Sequence, residues 1–325
     1  MTGASPDERW MATALALAEH GRGLTAPNPN VGCLIVQGSE LVGQGWTQPG
    51  GRPHAEAVAL AQAGAAARDA TVYVTLEPCA HVSARGPACA ILLAEAHPAK
   101  VVVGVGDPDP RTNGHGIERL DMAGIEVISG VLREEAERSM AGFFTRIRLG
   151  RPYVTLKLAM SIDGRIALAS GESKWITGEE AREDVHRERA RADMILVGRG
   201  TYEADKPSLD VRIKGLEHAS PRKALLTTGG PVDGFVRLSS PQAIRTLTDV
   251  NDLLVEGGAE TAAAFLAADL VDRLLIYRAP ILLGEGKAAV AGIGLDALAD
   301  AHGRWALMET RQLGSDTLQV YERQR

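Results

Sequence analysis

Thr71-Val72-Tyr73-Val74-Thr75-Leu76-Glu77-Pro78-Cys79 decides the fold of the first half of the chain. Its first six residues are β-branched, aromatic or aliphatic, which reads as a buried strand. Glu77 and Pro78 end it and leave Cys79 at its C-terminal end. Upstream, the alanine-rich run 54–67 reads as a helix that opens on His54-Ala55-Glu56. Before it, Asn28-Pro29-Asn30 is turn chemistry leading into a strand over 31–36, with 41–46 as its hairpin partner. Residues 6–20 place Trp10, Ala14, Leu17 and Ala18 on one helical face. Downstream, a helix over 89–96, a strand over 100–106, a helix over 114–123 and a strand over 126–131 follow. Strands alternating with helices predict an α/β sandwich around a largely buried sheet.

A second unit is expected from about residue 150, because Ile147-Arg148-Leu149-Gly150-Arg151-Pro152 has linker character. The domains are therefore read as 1–149 and 150–325. Strands are expected over 153–159, 194–197, 224–228, 252–255, 273–278 and 317–322, with a charged helix over 178–192 and another over 260–268. Glu256-Gly257-Gly258-Ala259, after a strand and before a helix, presents backbone N–H groups and a helix N-terminus suited to a phosphate.

With 325 residues, 45% hydrophobic and 23% charged, the chain has the composition of a soluble globular enzyme of two domains. A net charge of −6 argues against a general nucleic-acid binder. Three cysteines argue against a disulfide framework and fit a reduced cytoplasmic location. The N-terminal stretch, with Asp7, Glu8 and Arg9 before its apolar residues, reads as an amphipathic helix and not a signal peptide. No apolar run approaches the ~18 residues of a membrane span.

One imidazole and two thiolates, from His54, Cys79 and Cys89, can fill three of zinc's four tetrahedral positions. A catalytic zinc keeps the fourth for water, whose pKa it lowers to about 7. Glu56 is two residues past the histidine, close enough to carry protons without ligating the metal. This constellation is that of the zinc deaminases acting on pyrimidine and purine rings. The bland alternative is a core histidine beside two buried thiols. Cys33, inside an apolar run, reads as core packing. Glu77 is either a carboxylate that supports the metal ligands or a partner for a helix N-terminus.

GLTAPNPNVGCLIV, RPHAEAVAL, TLEPCAH and KLAMSIDGRIALASGESKWITG resemble the bifunctional deaminase–reductase family of riboflavin biosynthesis, over nearly the whole chain. The resemblance implies a cytidine-deaminase-like α/β/α sandwich followed by a dihydrofolate-reductase-like α/β domain. The first would remove the 2-amino group of 2,5-diamino-6-ribosylamino-4(3H)-pyrimidinone 5′-phosphate. The second would use NADPH to reduce the ribosyl group to ribityl. His54, Cys79 and Cys89 match the zinc ligands, Glu56 the proton shuttle and Asn28 a substrate contact. Ala159, Trp175, Thr201 and Asp205 match NADP contacts, as do Gly258, Ala259, Glu260, Thr261, Ala262, Ala263 and Ala264 at the phosphate-binding turn. Ser173, Arg189, Leu209, Arg212 and Glu256 match substrate contacts, and both arginines suit bidentate phosphate binding. A homo-oligomer is expected.

The chain departs from the family at Thr47, at Met140 and in the loop between the cysteines, which carries Gly86-Pro87-Ala88 and is about one residue longer than usual. The segment 213–255 is shorter than in most relatives, so one strand and its loop are expected to be missing and NADPH to bind less tightly. The rivals are a deaminase with a degenerate reductase half, a nucleic-acid base deaminase, and a non-catalytic regulatory or scaffold protein. The acidic balance opposes the second, and an intact ligand set opposes the third.

Overall fold

Alternation along three central strands builds the core of the first unit. The chain divides into two compact units, Met1–Leu149 and Gly150–Arg325, and the computed structural model describes residues 4–81 and 85–325. Val82, Ser83 and Ala84, within the loop between the cysteines, lie outside the described residues. In the first unit α1 (Pro6–Ala18) precedes β1 (Gly32–Gln37) and β2 (Glu40–Trp46). Then come α2 (Ala55–Ala63), β3 (Thr71–Leu76), α3 (Cys89–Ala96), β4 (Lys100–Val105), α4 (His115–Met122), β5 (Glu126–Ser129), α5 (Arg133–Ser139) and α6 (Ala141–Leu149). The sheet order is β2-β1-β3-β4-β5, antiparallel at β2-β1-β3 and parallel at β3-β4-β5.

Cys33 and Ile35, Val72 and Val74, and Val101 and Val103 point to one face, where they pack with Ala55 and Ala59 of α2, Leu93 of α3 and Leu120 of α4. Leu34, Val36, Tyr73 and Val102 point to the other, against Met11 and Ala14 of α1. Both faces are therefore apolar and covered, as the uninterrupted strand pattern requires. Helix α2 lies so close to β2 that a Cβ on Gly45 would sit 2.4 Å from the Ala55 carbonyl oxygen. Only glycine permits that approach, and it fixes the helix that begins beside His54.

Ile147, Arg148 and Leu149 are not linker, as expected from sequence, but the last turn of α6. Phe143 and Phe144 bury one face of that helix, and the Arg148 guanidinium stacks 4.6 Å from the Phe144 ring. Arg151 is also no linker residue: it is buried and pairs bidentately with Asp272 at 2.6 and 2.8 Å.

The second unit runs β6 (Tyr153–Ser161), β7 (Arg165–Leu168), α7 (Glu179–Ala190), β8 (Met194–Gly198), α8 (Arg199–Asp205), β9 (Arg222–Leu226) and β10 (Val236–Leu238). It continues through β11 (Asp252–Val255), α9 (Ala259–Ala267), β12 (Arg273–Ala279), β13 (Gly286–Ala288), β14 (Trp305–Leu313) and β15 (Asp316–Arg323). Eight strands form one sheet in the order β10-β9-β8-β11-β6-β12-β15-β14. The first six are parallel, and β15 and β14 add antiparallel pairs at one edge. Phe265 of α9 packs on Leu156, Met194 and Leu253, while Ala181 and Val185 of α7 pack on Leu275, Tyr277 and Val320. The short segment 213–255 still carries β9 and β10, although β10 has only three residues.

Candidate metal centre and cofactor groove

His54 is the N-cap of α2, in extended conformation, so its ring leaves the helix entrance and not its flank. Cys79 follows the end of β3, and Cys89 opens α3. His54 Nδ1 lies 3.3 Å from Cys89 Sγ and 3.6 Å from Cys79 Sγ. All three donor atoms fall within 4.8 Å of one another. Zinc bonds of about 2.3 Å to sulfur and 2.0–2.1 Å to nitrogen in a tetrahedron imply N···S edges of about 3.5 Å. The donor set therefore fits zinc in both identity and spacing. Hydrogen bonding from the Cys89 thiol, aided by His54, pulls Cys79 down to about 4 against the effect of burial, while the same contact and burial push Cys89 up.

Glu56 is buried in the first turn of α2, at 3% exposure, and outside the converging donor set. Burial raises its pKa, with His54 opposing. Asn28 Nδ2 donates to the Gly51 carbonyl at 2.6 Å and lies 3.3 Å from His54 Nε2, the ring nitrogen facing away from the thiols. Of the two roles left open for Glu77, the structure shows the helix partner. Its carboxylate accepts from the N–H groups of Gly116 (2.9 Å), Gly114 (3.1 Å) and Ile117 (3.3 Å) at the start of α4, and from that of Asp107 (3.2 Å) after β4. Cys33 is fully buried in the core, as expected.

Asn28, His54, Glu56, Glu77 and Cys79 line a cavity of about 220 Å³, smaller than drug-sized sites and suited to a single heteroaromatic ring. Thr47 lies on its wall, with Arg52, Arg85, Asp107, Asp109, Arg111 and Phe143; of these the sequence marks only Thr47, as a departure from the family. The available signal was position: Asp107 to Arg111 follow β4 at the same sheet edge at which Cys79 follows β3. Burial lifts Asp107 to about 7, whereas Arg111 holds Asp109 below the usual range.

In the second unit the parallel strands end on one edge, the place where open α/β sheets take ligands. Ala159 lies there on β6, Thr201 in α8 after β8, and Glu256 and Gly258 after β11. Thr201 Oγ1 accepts from the Gly258 N–H at 3.1 Å, joining two neighbouring strand ends. Gly258 caps α9, so the N–H groups of Ala259, Glu260 and Thr261 have no acceptor within the helix. Expectation extended cofactor contacts through Ala264, but Thr261, Ala262 and Ala263 turn their side chains into the core and Ala264 is half-buried. From Thr261 to Ala263 this stretch can offer a ligand backbone groups but no side chain.

Trp175 is exposed at 67%, with the Arg182 guanidinium 4.9 Å from its ring. Half-buried Ser173 is in the same loop. Lys174, between them, pairs at 3.6 Å with Asp205 at the end of α8. Leu209 is 2% exposed and packs on Ile195, Val197, Leu225 and Leu254, so only its backbone can touch substrate.

Arg189 and Arg212 do not share one role. Arg189 donates through Nε and Nη2 to Glu256 at 2.7 and 3.0 Å, so its fork is taken. Arg212, at 60% side-chain exposure, keeps its guanidinium at the surface. Lys157 on β6, which spacing alone did not mark, lies 3.3 Å from Glu256. Burial disfavours the Glu256 carboxylate, but Lys157 and Arg189 outweigh it and hold its pKa at about 2. A second cavity of about 520 Å³ opens where β8 and β9 end, lined by Arg199, Thr227, Thr228, Gly229, Ser239 and Ser240. Arg199 donates to Thr227 Oγ1 at 3.1 Å and to the Gly230 carbonyl at 2.6 Å. The supposedly depleted segment thus supplies most of this cavity's wall.

Comparison with known proteins agrees with both halves. Residues 4–105 match the cytidine and deoxycytidylate deaminase zinc-binding region, and residues 152–319 match the RibD C-terminal domain. The riboflavin biosynthesis protein RibD of Haemophilus influenzae is 40% identical, over 98% of this chain and 97% of its own. That alignment runs over 366 positions, so at least 41 of them (366 − 325) have no residue here. RibD of Mycobacterium tuberculosis is 41% identical over 95% of each chain. The solved RibD of Acinetobacter baumannii superposes with a TM-score of 0.88 at 36% identity, covering 98% of this chain and 99% of its own. A Thermotoga maritima diaminohydroxyphosphoribosylaminopyrimidine deaminase/5-amino-6-(5-phosphoribosylamino)uracil reductase reaches 0.89 at 30% identity, with the same coverage. A zinc-type donor set in one unit and a cofactor-type strand edge in the other stand in the order these relatives share: the chain belongs to the RibD family of bifunctional deaminase–reductases of riboflavin biosynthesis.

Proposed function

We propose that residues 1–149 remove the 2-amino group of 2,5-diamino-6-ribosylamino-4(3H)-pyrimidinone 5′-phosphate as ammonia, and that residues 150–325 then reduce the ribosyl group of the product to ribityl. The observation that carries the reading is the convergence of His54, Cys79 and Cys89, with His54, Cys79 and buried Glu56 on the wall of a ring-sized cavity. Zinc held by those three residues would supply an acidified water to attack the ring carbon. Glu56 takes a proton, delivers one to the ring nitrogen and then one to the departing amine. Asn28, against His54, orients the ring. Arg52, Arg85 and Arg111 surround the cavity with positive charge suited to the substrate's phosphate.

In the reductase half bound NADPH would supply a hydride to C1′ of the ribosyl group, with the C1′–O4′ bond opening and O4′ taking a proton from the protein. Lys157, beside Glu256, is the acid within the groove. Backbone donors of Ala259 to Thr261 face a cofactor phosphate. Arg199 with the hydroxyls of Thr227, Thr228, Ser239 and Ser240 makes a further phosphate-type pocket, which favours NADPH over NADH. Both halves keep their working residues, which supports the bifunctional reading over a deaminase with a degenerate partner and over a non-catalytic scaffold. Among the described residues no helix is long and apolar enough to cross a membrane; a cytoplasmic location is the reading that three free cysteines support. Ammonia release by the zinc-loaded protein, with NADPH oxidation only once the deaminated product is present, tests the proposal.

A further inference from the structure

The loop after α8 is held by an unusual clasp. Lys206 and Leu209 take left-handed backbone angles, with φ of +40° and +56°. Non-glycine residues keep such angles only where their surroundings enforce them. Leu209 is held at its angle by burial in the core, and the loop is pinned again at Val211, which is buried and donates its N–H to Ser220 Oγ at 3.0 Å. Between them, the Asp210 carbonyl faces two residues one turn apart on α7. Arg189 Nη1 donates to it at 3.1 Å, and His186 Nδ1 lies 3.1 Å from it. The same His186 nitrogen lies 3.3 Å from the backbone N–H of Arg212.

One nitrogen cannot satisfy a carbonyl and an N–H together. With a lone pair on Nδ1, His186 accepts from Arg212. With a proton there, it donates to Asp210 and releases Arg212. Contacts run from Arg212 through His186 and Asp210 to Arg189, Glu256 and Lys157. We infer that His186 is a positioning residue of the reductase half, which sets Arg212 for the substrate phosphate by accepting its backbone N–H. This rests on the proposed reduction and on Arg212 as a phosphate contact.

The charged groups facing His186 are Arg189 on its own helix, Arg212 and Asp210 on the loop, and Glu256 after β11. Burial first, and the two arginines next, lower its pKa, so the ring is neutral at neutral pH; its Nε2–H tautomer presents the accepting lone pair on Nδ1 to Arg212, and protonation below the usual imidazole range of about 6.5 removes that lone pair.

The test is steady-state reduction of the deaminated substrate at saturating NADPH. His186→Ala should raise KM about tenfold, the scale of one lost hydrogen bond, with kcat within about twofold and deamination unchanged. His186→Asn, whose amide can still accept, should restore most of the loss. The KM of the wild type should climb on acidification towards about pH 5 more steeply than that of His186→Asn. His186→Ala should add little to Arg212→Ala, because both act through one contact. An unchanged KM in His186→Ala, or additive effects of the two substitutions, overturns the inference alone. Parallel loss of kcat and thermal stability in both His186 variants shows a merely structural role and also overturns it. A wild-type protein that does not oxidise NADPH with this substrate overturns the proposed reduction, and the inference with it.

Discussion

A methyl group added at Gly198 would meet Thr261 Oγ1 at 2.1 Å, while the next atom, Thr261 Cβ, is at an ordinary 3.5 Å. Gly198 ends β8 and Thr261 belongs to the first turn of α9, so this contact sets the spacing between two strand ends that border the proposed cofactor groove. The threonine side chain also packs on Gly257, where an added Cβ would lie 2.5 Å from its Cγ2. Reaching an ordinary 3.4 Å requires a shift of about 1.3 Å (3.4 − 2.1). Overpacking of this kind costs about 1–3 kcal/mol. In a unit of this size each kcal/mol lowers Tm by about 2–4 °C. Gly198→Ala should therefore melt the second unit several degrees early and weaken NADPH binding about tenfold, because the displaced α9 carries the phosphate donors. Thr261→Ala removes the one offending atom. The double variant should bind NADPH like Thr261→Ala alone, giving a coupling of about 1 kcal/mol or more in a double-mutant cycle. Thermal melts and NADPH titration read both effects. Wild-type binding by Gly198→Ala, or no recovery in the double variant, would refute the packing argument.

Three further outcomes are expected. Glu56→Gln should keep zinc, as measured by metal analysis, and lose deamination by ~10²-fold or more, whereas Cys79→Ser should lose both; near-normal ammonia release by Glu56→Gln contradicts its role. Arg199→Ala should raise KM for NADPH and leave KM for NADH nearly unchanged, since only NADPH has the extra phosphate; equal losses would remove that pocket from cofactor choice. Glu256 has its folded pKa depressed from 4.5 to about 2, so its ion pairs stabilise the fold above the unfolded pKa and are lost as pH falls towards about 2. The difference corresponds to about 3 kcal/mol, and Glu256→Gln should show a shallower loss of stability between about pH 4.5 and 2 in denaturant titrations; matching acid profiles would show that the carboxylate is not so paired.

The zinc-type donor set was legible because its chemistry is local: a histidine at a helix start and cysteines at a strand end and a helix start converge wherever an α/β sheet places them on one edge. Strands buried on both faces were equally plain from Thr71–Leu76 and Gly32–Gln37. The edge strand β14 went unread because Leu307 and Met308 are exposed and charged residues follow them, so no buried period marks it. Helix α6 was hidden by Arg146 and Arg148, which look like a solvated linker but stack on Phe143 and Phe144. Lys157 and Arg199 were missed because each acts through partners distant in sequence: Glu256 for the first, Thr227 and Gly230 for the second. The same distance explains why Arg189 looked like a free phosphate fork, since its spacing could not reveal the carboxylate that occupies it.

The most direct test of the central claim is to incubate the zinc-loaded protein with the diaminopyrimidine ribosyl phosphate, with and without NADPH, and to identify the products by mass spectrometry. Without NADPH the account predicts ammonia and the deaminated ribosyl compound alone; with NADPH it predicts the same compound carrying two more hydrogens, in step with cofactor oxidation. Reduction of the diamino substrate without ammonia release, or no ammonia from protein holding one zinc per chain, would contradict it.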